Sequence, residues 1–285
     1  MMSQDNQATH TSSKGILMQK TDCTTLSLEH GIMRVYTHNG LTLHAYQTCD
    51  PIDDEVFIVE NNGRAFIIEY PCFYNNIEEL TRYITDNNLE VEGIFAAYHM
   101  AGASFLPNVA VYATPSADVY GHGGGGRALI DNFAQVFGDA FDHTLPNVTN
   151  NLEAGTLSLA GIDVTIIPNN EAYDIEIPAL NAMYTHMLGH DCHSIVPGYG
   201  AADALIAQLE GFLARGYDLV LTAHYTPESL KDVQTKIDYL KNVKKIAATC
   251  TSADEFKTKL EQTYPDYTGL NYLDMTASFF FPDHA

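Results

Sequence analysis

Residues 55–69 read EVFIVENNGRAFIIE, two apolar runs of strand length joined by Asn61, Asn62, Gly63 and Arg64. Short apolar runs with a Gly-bearing turn between them pair as an antiparallel hairpin, because Asn and Gly tolerate the positive φ that a tight reversal demands. Residues 76–88 then space Ile77, Leu80, Tyr83 and Ile84 as one face of a helix, with Asn88 as its terminator. Residues 91–97 return to an apolar strand. Strands and helices that alternate in this way restrict the chain to α/β architectures, in which sheets are covered by helices.

The remaining segments extend that pattern. Residues 128–141 place Leu129, Ile130, Phe133, Val136, Phe137 and Phe141 on one helical face, and residues 201–215 do so with Leu205, Leu209, Phe212 and Leu213 before Gly216 stops the helix. Thr226 and Pro227 read as the N-cap and first turn of a helix carrying Leu230, Val233, Ile237 and Leu240. Ser252 with Glu255 reads as a capping box for the next helix. Leu157, Leu159, residues 164–168 and residues 218–224 are strand-like, and Phe279, Phe280 and Phe281 are expected to be buried in a C-terminal cover. At 285 residues and 46% hydrophobic, the chain can build one large core. The expected organisation is a disordered lead-in over residues 1–28 and a single domain over 29–285.

A net charge of -22 repels phosphate backbones and anionic lipid, so neither nucleic acid nor a membrane surface is an expected partner. No apolar run approaches the roughly 20 residues of a membrane span, and the polar start lacks the apolar centre of a signal peptide. Lys241, Lys244 and Lys245 read as a solvated helix end. Five cysteines, odd in number and without a C-x-x-C pair, suit a reducing cytoplasm.

Residues 94–107, IFAAYHMAGASFLP, carry the information about function. Their frame resembles the metallo-β-lactamase superfamily, in which an apolar strand enters an H-x-H-x-D-H loop and a short strand follows. Here residues 91–97 supply the first strand and residues 108–113, NVAVYA, the second. The resemblance spans roughly residues 32–282 and implies a four-layer αββα sandwich with mixed sheets, of the α/β (α+β) class. On that frame the four loop ligands fall on Tyr98, Met100, Gly102 and Ala103. The family's Pro-Gly-His turn is replaced by Pro168, Asn169, Asn170 and Glu171, and its bridging aspartate falls on Met187. Only the last ligand, His224, is kept. Zinc in such sites takes imidazole nitrogen or carboxylate oxygen, which Gly and Ala cannot offer and a thioether replaces poorly. The resemblance therefore implies a cleft lined by Tyr98, His99, Met100, Gly102, Ala103, Asn169, Asn170 and Met187, with too few donors for two ions.

The expected function is a non-hydrolytic pseudoenzyme that binds a small molecule, with no cofactor and no assignable catalytic residue. The alternative is a hydrolase with one remodelled metal, Zn, Fe or Mn, held by some of His99, His186, His190, His193 and His224. His186, His190 and His193 would share a helical face at i, i+4 and i+7, but Gly189 argues for a loop, in which these are ordinary polar histidines. The stretch from Gly121 to Arg127, GHGGGGR, lacks the residues of a phosphate-binding loop and reads as a flexible lid or connector with His122 exposed. Glu171, Asp174 and Glu176 read as surface charge. No G-x-S-x-G elbow is present, and a Phe-rich tail that docks on a second copy is the route by which a homo-oligomer would form.

Overall fold

In a computed structural model, residues 17–186 and 188–282 are described. The hairpin is formed by β4 (Glu55–Asn61) and β5 (Arg64–Ile68), antiparallel with Asn61 opposite Arg64. Asn62 and Gly63 make the reversal with φ of 53° and 84°, the positive pair that a two-residue hairpin turn requires. The larger sheet adds β1 (Cys23–Ser27), β2 (Ile32–His38) and β3 (Leu41–Gln47) on one side of it, and β6 (Glu90–Phe95), β7 (Val111–Ala113) and β8 (Asn150–Asn151) on the other. Pairing is antiparallel up to β5 and parallel beyond it, because α1 (Tyr74–Asp86) carries the chain back between β5 and β6. The second sheet runs β13 (Leu219–Thr222), β12 (Ala182–Thr185), β11 (Tyr173–Ile177), β10 (Ile162–Pro168) and β9 (Gly155–Leu159). Only β12 and β13 are parallel there, joined through α4 (Gly198–Arg215).

The side-chain period of two shows how the layers stack. On β12, Tyr184 enters the core shared by both sheets, where its ring lies 6.1 Å from that of Phe57, while the preceding Met183 faces the helices. Leu219 and Leu221 of β13 point inward and Val220 outward in the same manner. The outer helical layer consists of α4, α5 (Leu230–Ala247), α6 (Ala253–Thr263) and α7 (Leu273–Phe280), and Ile77, Leu80 and Ile84 of α1 close the opposite side. Each such buried side chain contributes about 1.5–3 kcal/mol. This is the αββα sandwich with mixed sheets. Among the described residues no helix is long and apolar enough to cross a membrane.

Several local expectations are corrected. The α5 N-cap is Ser229, which shares a capping box with Asp232; Thr226 and Pro227 precede it because Glu228 is held extended against Val220 of β13. GHGGGGR is helical, ending α2 (Pro115–Gly123) and opening α3 (Gly125–Phe137), with Gly124 as the break. Close packing explains two of its glycines: a Cβ on Gly121 would lie 2.1 Å from Met100 Cγ, and one on Gly126 2.7 Å from the Tyr120 ring. His122 is exposed. Of the Phe tail, Phe279 is 47% exposed, whereas Phe280 and Phe281 are half-buried against Phe256. Residues 1–16 of the expected lead-in lie outside the described residues; residues before 29 already join the fold, since β1 pairs with β2 and Met18 N–H donates to Asp218 Oδ2 at 2.7 Å.

Candidate metal centre

Four segments converge at one edge of the sandwich. The loop after β6 delivers Tyr98 and His99, the residue after β12 is His186, the segment after β13 carries His224, and Asp54 immediately precedes β4. Parallel pairing of Thr185 with Thr222 sends β12 and β13 out on the same side, and His186 C=O then accepts from Ala223 N–H at 3.0 Å. The β6 loop is gripped by Glu69, a fully buried residue with φ of 68° that follows β5. Its carboxylate accepts from the N–H groups of Ala97, Tyr98 and His99 at 3.3, 2.8 and 3.0 Å, and from the Tyr184 hydroxyl. A carboxylate with this many donors fixes a loop that has no secondary structure of its own.

Nε2 of His99 lies 3.2 Å from Nε2 of His224. The His186 ring sits beside both, with centroids 5.7 Å and 5.3 Å away, and it stacks flat on Tyr98 at 4.1 Å. Asp54 is fully buried behind two of the rings, its Oδ1 3.3 Å from His224 Nδ1 and 3.5 Å from His99 Nδ1. Its Oδ2 accepts from the Cys72 thiol at 2.9 Å. Burial opposes ionisation of Asp54, but the charge of His99 and the bonds from His224 and Cys72 outweigh it and hold the carboxyl below its usual range. Burial, then the neighbouring His224 and His99, push His186 well down, so it is a neutral imidazole. For His224 burial is outweighed by the Asp54 hydrogen bond and charge, and its pKa rises. Burial, followed by the charge of Asp174, pushes the Tyr98 hydroxyl up, and that hydroxyl accepts from Asn169 Nδ2 at 2.6 Å.

Among the described residues one group of side chains could hold a metal ion, the imidazoles of His99, His186 and His224. Met100 is fully buried beneath Gly121, Gly102 packs against the Pro71 carbonyl with φ of 94°, and Ala103 turns to a separate cavity with Phe105 and Leu106. None of the three therefore lines the cleft. Asn169 braces Tyr98 and its own turn, Asn170 is exposed, and Met187 lies outside the described residues. One ion does fit. Ligand nitrogens of His99, His186 and His224 lie within 4.8 Å of one another, and the 3.2 Å pair matches the roughly 3.3 Å edge of a tetrahedron with metal–nitrogen bonds of about 2.0–2.1 Å. Asp54 Oδ1 and His99 Nδ1 are buried and lack a well-aligned hydrogen-bond partner, and a carboxylate facing the far nitrogen of a ligating imidazole is the usual support of such sites.

His190 and His193 stand apart. The loop turns at Gly189, φ 56°, so no helical face unites them with His186. His190 pairs with Glu228 at 2.7 Å, and His193 is fully buried among Tyr239, Tyr264 and Tyr267 with Nδ1 3.0 Å from the Tyr239 hydroxyl. Of the acidic set, Glu171 is exposed and Glu176 pairs with Arg215, whereas Asp174 is only 6% exposed and bonded by Gln208. Asp54 and Glu69 escape a reading of the sequence; the only signal is an acid at the end of an apolar strand, where a carboxylate must find donors or protonate.

No family model matches the chain, and no curated protein matches its sequence. Solved structures do resemble it. A metallo-β-lactamase from Erythrobacter litoralis aligns over 77% of this chain and 100% of its own, with 14% identity and a TM-score of 0.52. A metallo-β-lactamase family protein from Thermus thermophilus aligns over 85% of this chain and 91% of its own, with 11% identity and a TM-score of 0.59. A stereoselective inverting sec-alkylsulfatase from Pseudomonas sp. aligns over 85% of this chain, with 13% identity and a TM-score of 0.62, and the chain spans 50% of that enzyme's length. Layer order, strand topology and these likenesses agree: the chain has the metallo-β-lactamase fold.

Proposed function

We propose that this chain is a single-metal hydrolase on the metallo-β-lactamase fold, with one divalent ion, Zn, Fe or Mn, held by His99, His186 and His224. The observation that carries the reading is the 3.2 Å approach of His99 Nε2 and His224 Nε2 with Asp54 behind both rings. Three imidazoles leave a fourth position open, and an ion there would bring the pKa of a bound water toward about 7 and polarise a carbonyl. The chain's own residues divide the remaining work. Asp54 orients two imidazoles, burial keeps the lone pair of His186 free, and Glu69 sets the height of the Tyr98–His99 loop. Tyr98 and Asn169 form one wall of the cleft. All five cysteines are free, which favours a reducing compartment.

Elemental analysis of protein purified without chelator tests the reading. One ion per chain, lost in His224→Ala, supports it, as does hydrolysis of 4-nitrophenyl acetate by the zinc-loaded protein. An ion-free protein that cannot be loaded overturns it. A second reading, a pseudoenzyme that binds a small molecule, is favoured by the loss of donors at Tyr98, Met100, Gly102 and Ala103. It predicts no ion and no turnover.

A further inference from the structure

We propose that this centre takes non-anionic substrates, esters or amides whose group next to the scissile bond is neutral or an ammonium, and that it rejects phosphate, sulfate and carboxylate-bearing esters. The inference rests on the single-metal reading and adds the substrate class to it. The reaction is addition of water across the acyl bond, its oxygen joining the carbonyl carbon and one proton leaving with the departing alcohol or amine.

The charges around the site set this preference. Asp54 faces the imidazoles of His99 and His224, and Glu69 holds the backbone of the Tyr98–His99 loop, both fully buried. Two further carboxylates flank the Tyr98 wall. Asp174 is 6% exposed, with Oδ2 held by Gln208 of α4 at 2.8 Å and Thr185, the residue before His186, beside it. Glu171 is exposed on the turn that Asn169 closes. Their negative charge favours a ligand ammonium and opposes a ligand oxyanion.

Among the described residues no lysine or arginine hydrogen-bonds or ion-pairs with Asp54, Glu69, Tyr98, His99, Asn169, His186 or His224. Arg34, which acts on Glu55 next to Asp54, bonds to Gln47. Several cations are committed elsewhere: Arg64 to Glu92, Arg127 to Asp131, Arg215 to Glu176, Lys20 to Asp232, Lys241 to Glu210 and Lys257 to Asp274. Lys236 is buried and donates to Gly189 O, Cys192 O and Ser194 Oγ. An anionic substrate would thus meet carboxylates without a guanidinium or ammonium to pair with, in the field of a chain of net charge -22.

The test uses cobalt-substituted protein and three straight-chain hydroxamic acids of equal length that end in a methyl, an ammonium or a carboxylate, with binding read from the visible spectrum of the cobalt. The ammonium form is expected to bind at least about tenfold more tightly than the carboxylate form at low salt, with the methyl form between and the gap narrowing in sodium chloride. Asp174→Asn and Glu171→Gln are each expected to shrink that ratio about twofold or more. Glu171 is exposed, so its variant carries the test even if the buried one does not fold. A carboxylate form that binds as tightly as the ammonium form, or a ratio unmoved by either variant, overturns the substrate class and leaves the metal reading standing. Protein that takes up no cobalt overturns the metal reading and this inference with it.

Discussion

His99 and His224 lie 125 positions apart in the chain, yet their Nε2 atoms are 3.2 Å from each other. Two neutral imidazoles at that distance satisfy one another only if one presents N–H and the other a lone pair. A cation between them uses both lone pairs and draws in His186. His186→Ala is therefore expected to reduce the metal content from one ion per chain to none, whereas His190→Ala, whose ring pairs with Glu228, leaves it unchanged. Elemental analysis of both variants after gel filtration checks this. Equal losses would place the ion elsewhere.

Asp54 predicts a smaller effect of a different kind. It touches Nδ1 of His99 and His224 rather than the face where an ion would sit, so Asp54→Asn keeps all three ligands but weakens the acceptor behind two of them. Metal affinity is expected to fall about 10- to 100-fold, with stoichiometry still one at saturating ion. Competition with a chromophoric chelator measures it.

How much of this was legible in the sequence follows from where each residue finds its partners. The β4–β5 hairpin was legible because its two apolar runs and its Asn-Gly turn are local, and so was the Gly216 stop of α4, which takes φ of 77°. His186 and His224 could be named because they stand where strands end. Asp54 and Glu69 could not, since what permits a carboxylate to be buried is a set of donors between 18 and 170 positions away, such as Cys72, Tyr98, Tyr184 and His224. The glycine-rich run from 121 to 126 read as a loop because glycine weakens helices, but Met100 and Tyr120 leave no room for a Cβ at Gly121 and Gly126. Tertiary contact, not local preference, decided that segment.

Glu69 carries the loop that presents His99. Glu69→Ala would leave three N–H groups, one buried and two half-buried, and the Tyr184 hydroxyl without their acceptor, the buried ones costing about 1–3 kcal/mol each. A loss of at least about 3 kcal/mol in urea unfolding is expected, with metal content falling as well. Glu69→Gln keeps one acceptor oxygen and should lose less. A variant as stable as the parent would show that the loop is held by something other than this carboxylate.

Glu55 makes the stability of the fold depend on pH. It is fully buried next to Asp54, neither carboxylate oxygen has a hydrogen-bond partner, and burial pushes its pKa up to about 8, with Arg34 opposing the rise and Asp53 adding to it. In the unfolded chain the same carboxyl ionises near its ordinary value of 4.5. The folded state therefore holds a proton that the unfolded state releases, so the contribution to stability is complete below pH 4.5, declines as pH rises, and is gone once pH passes about 8. Glu55→Gln stays neutral throughout and abolishes that decline. Unfolding in urea, measured with chelator present at pH 5 and pH 9, should give similar stabilities for the two proteins at the lower pH. At the higher pH the variant should gain on the order of 4 kcal/mol over the parent, since roughly 1.4 kcal/mol is lost for each pH unit between 5 and the raised value of about 8. Parallel curves for parent and variant would mean that Glu55 is ionised in the fold and paired with a cation.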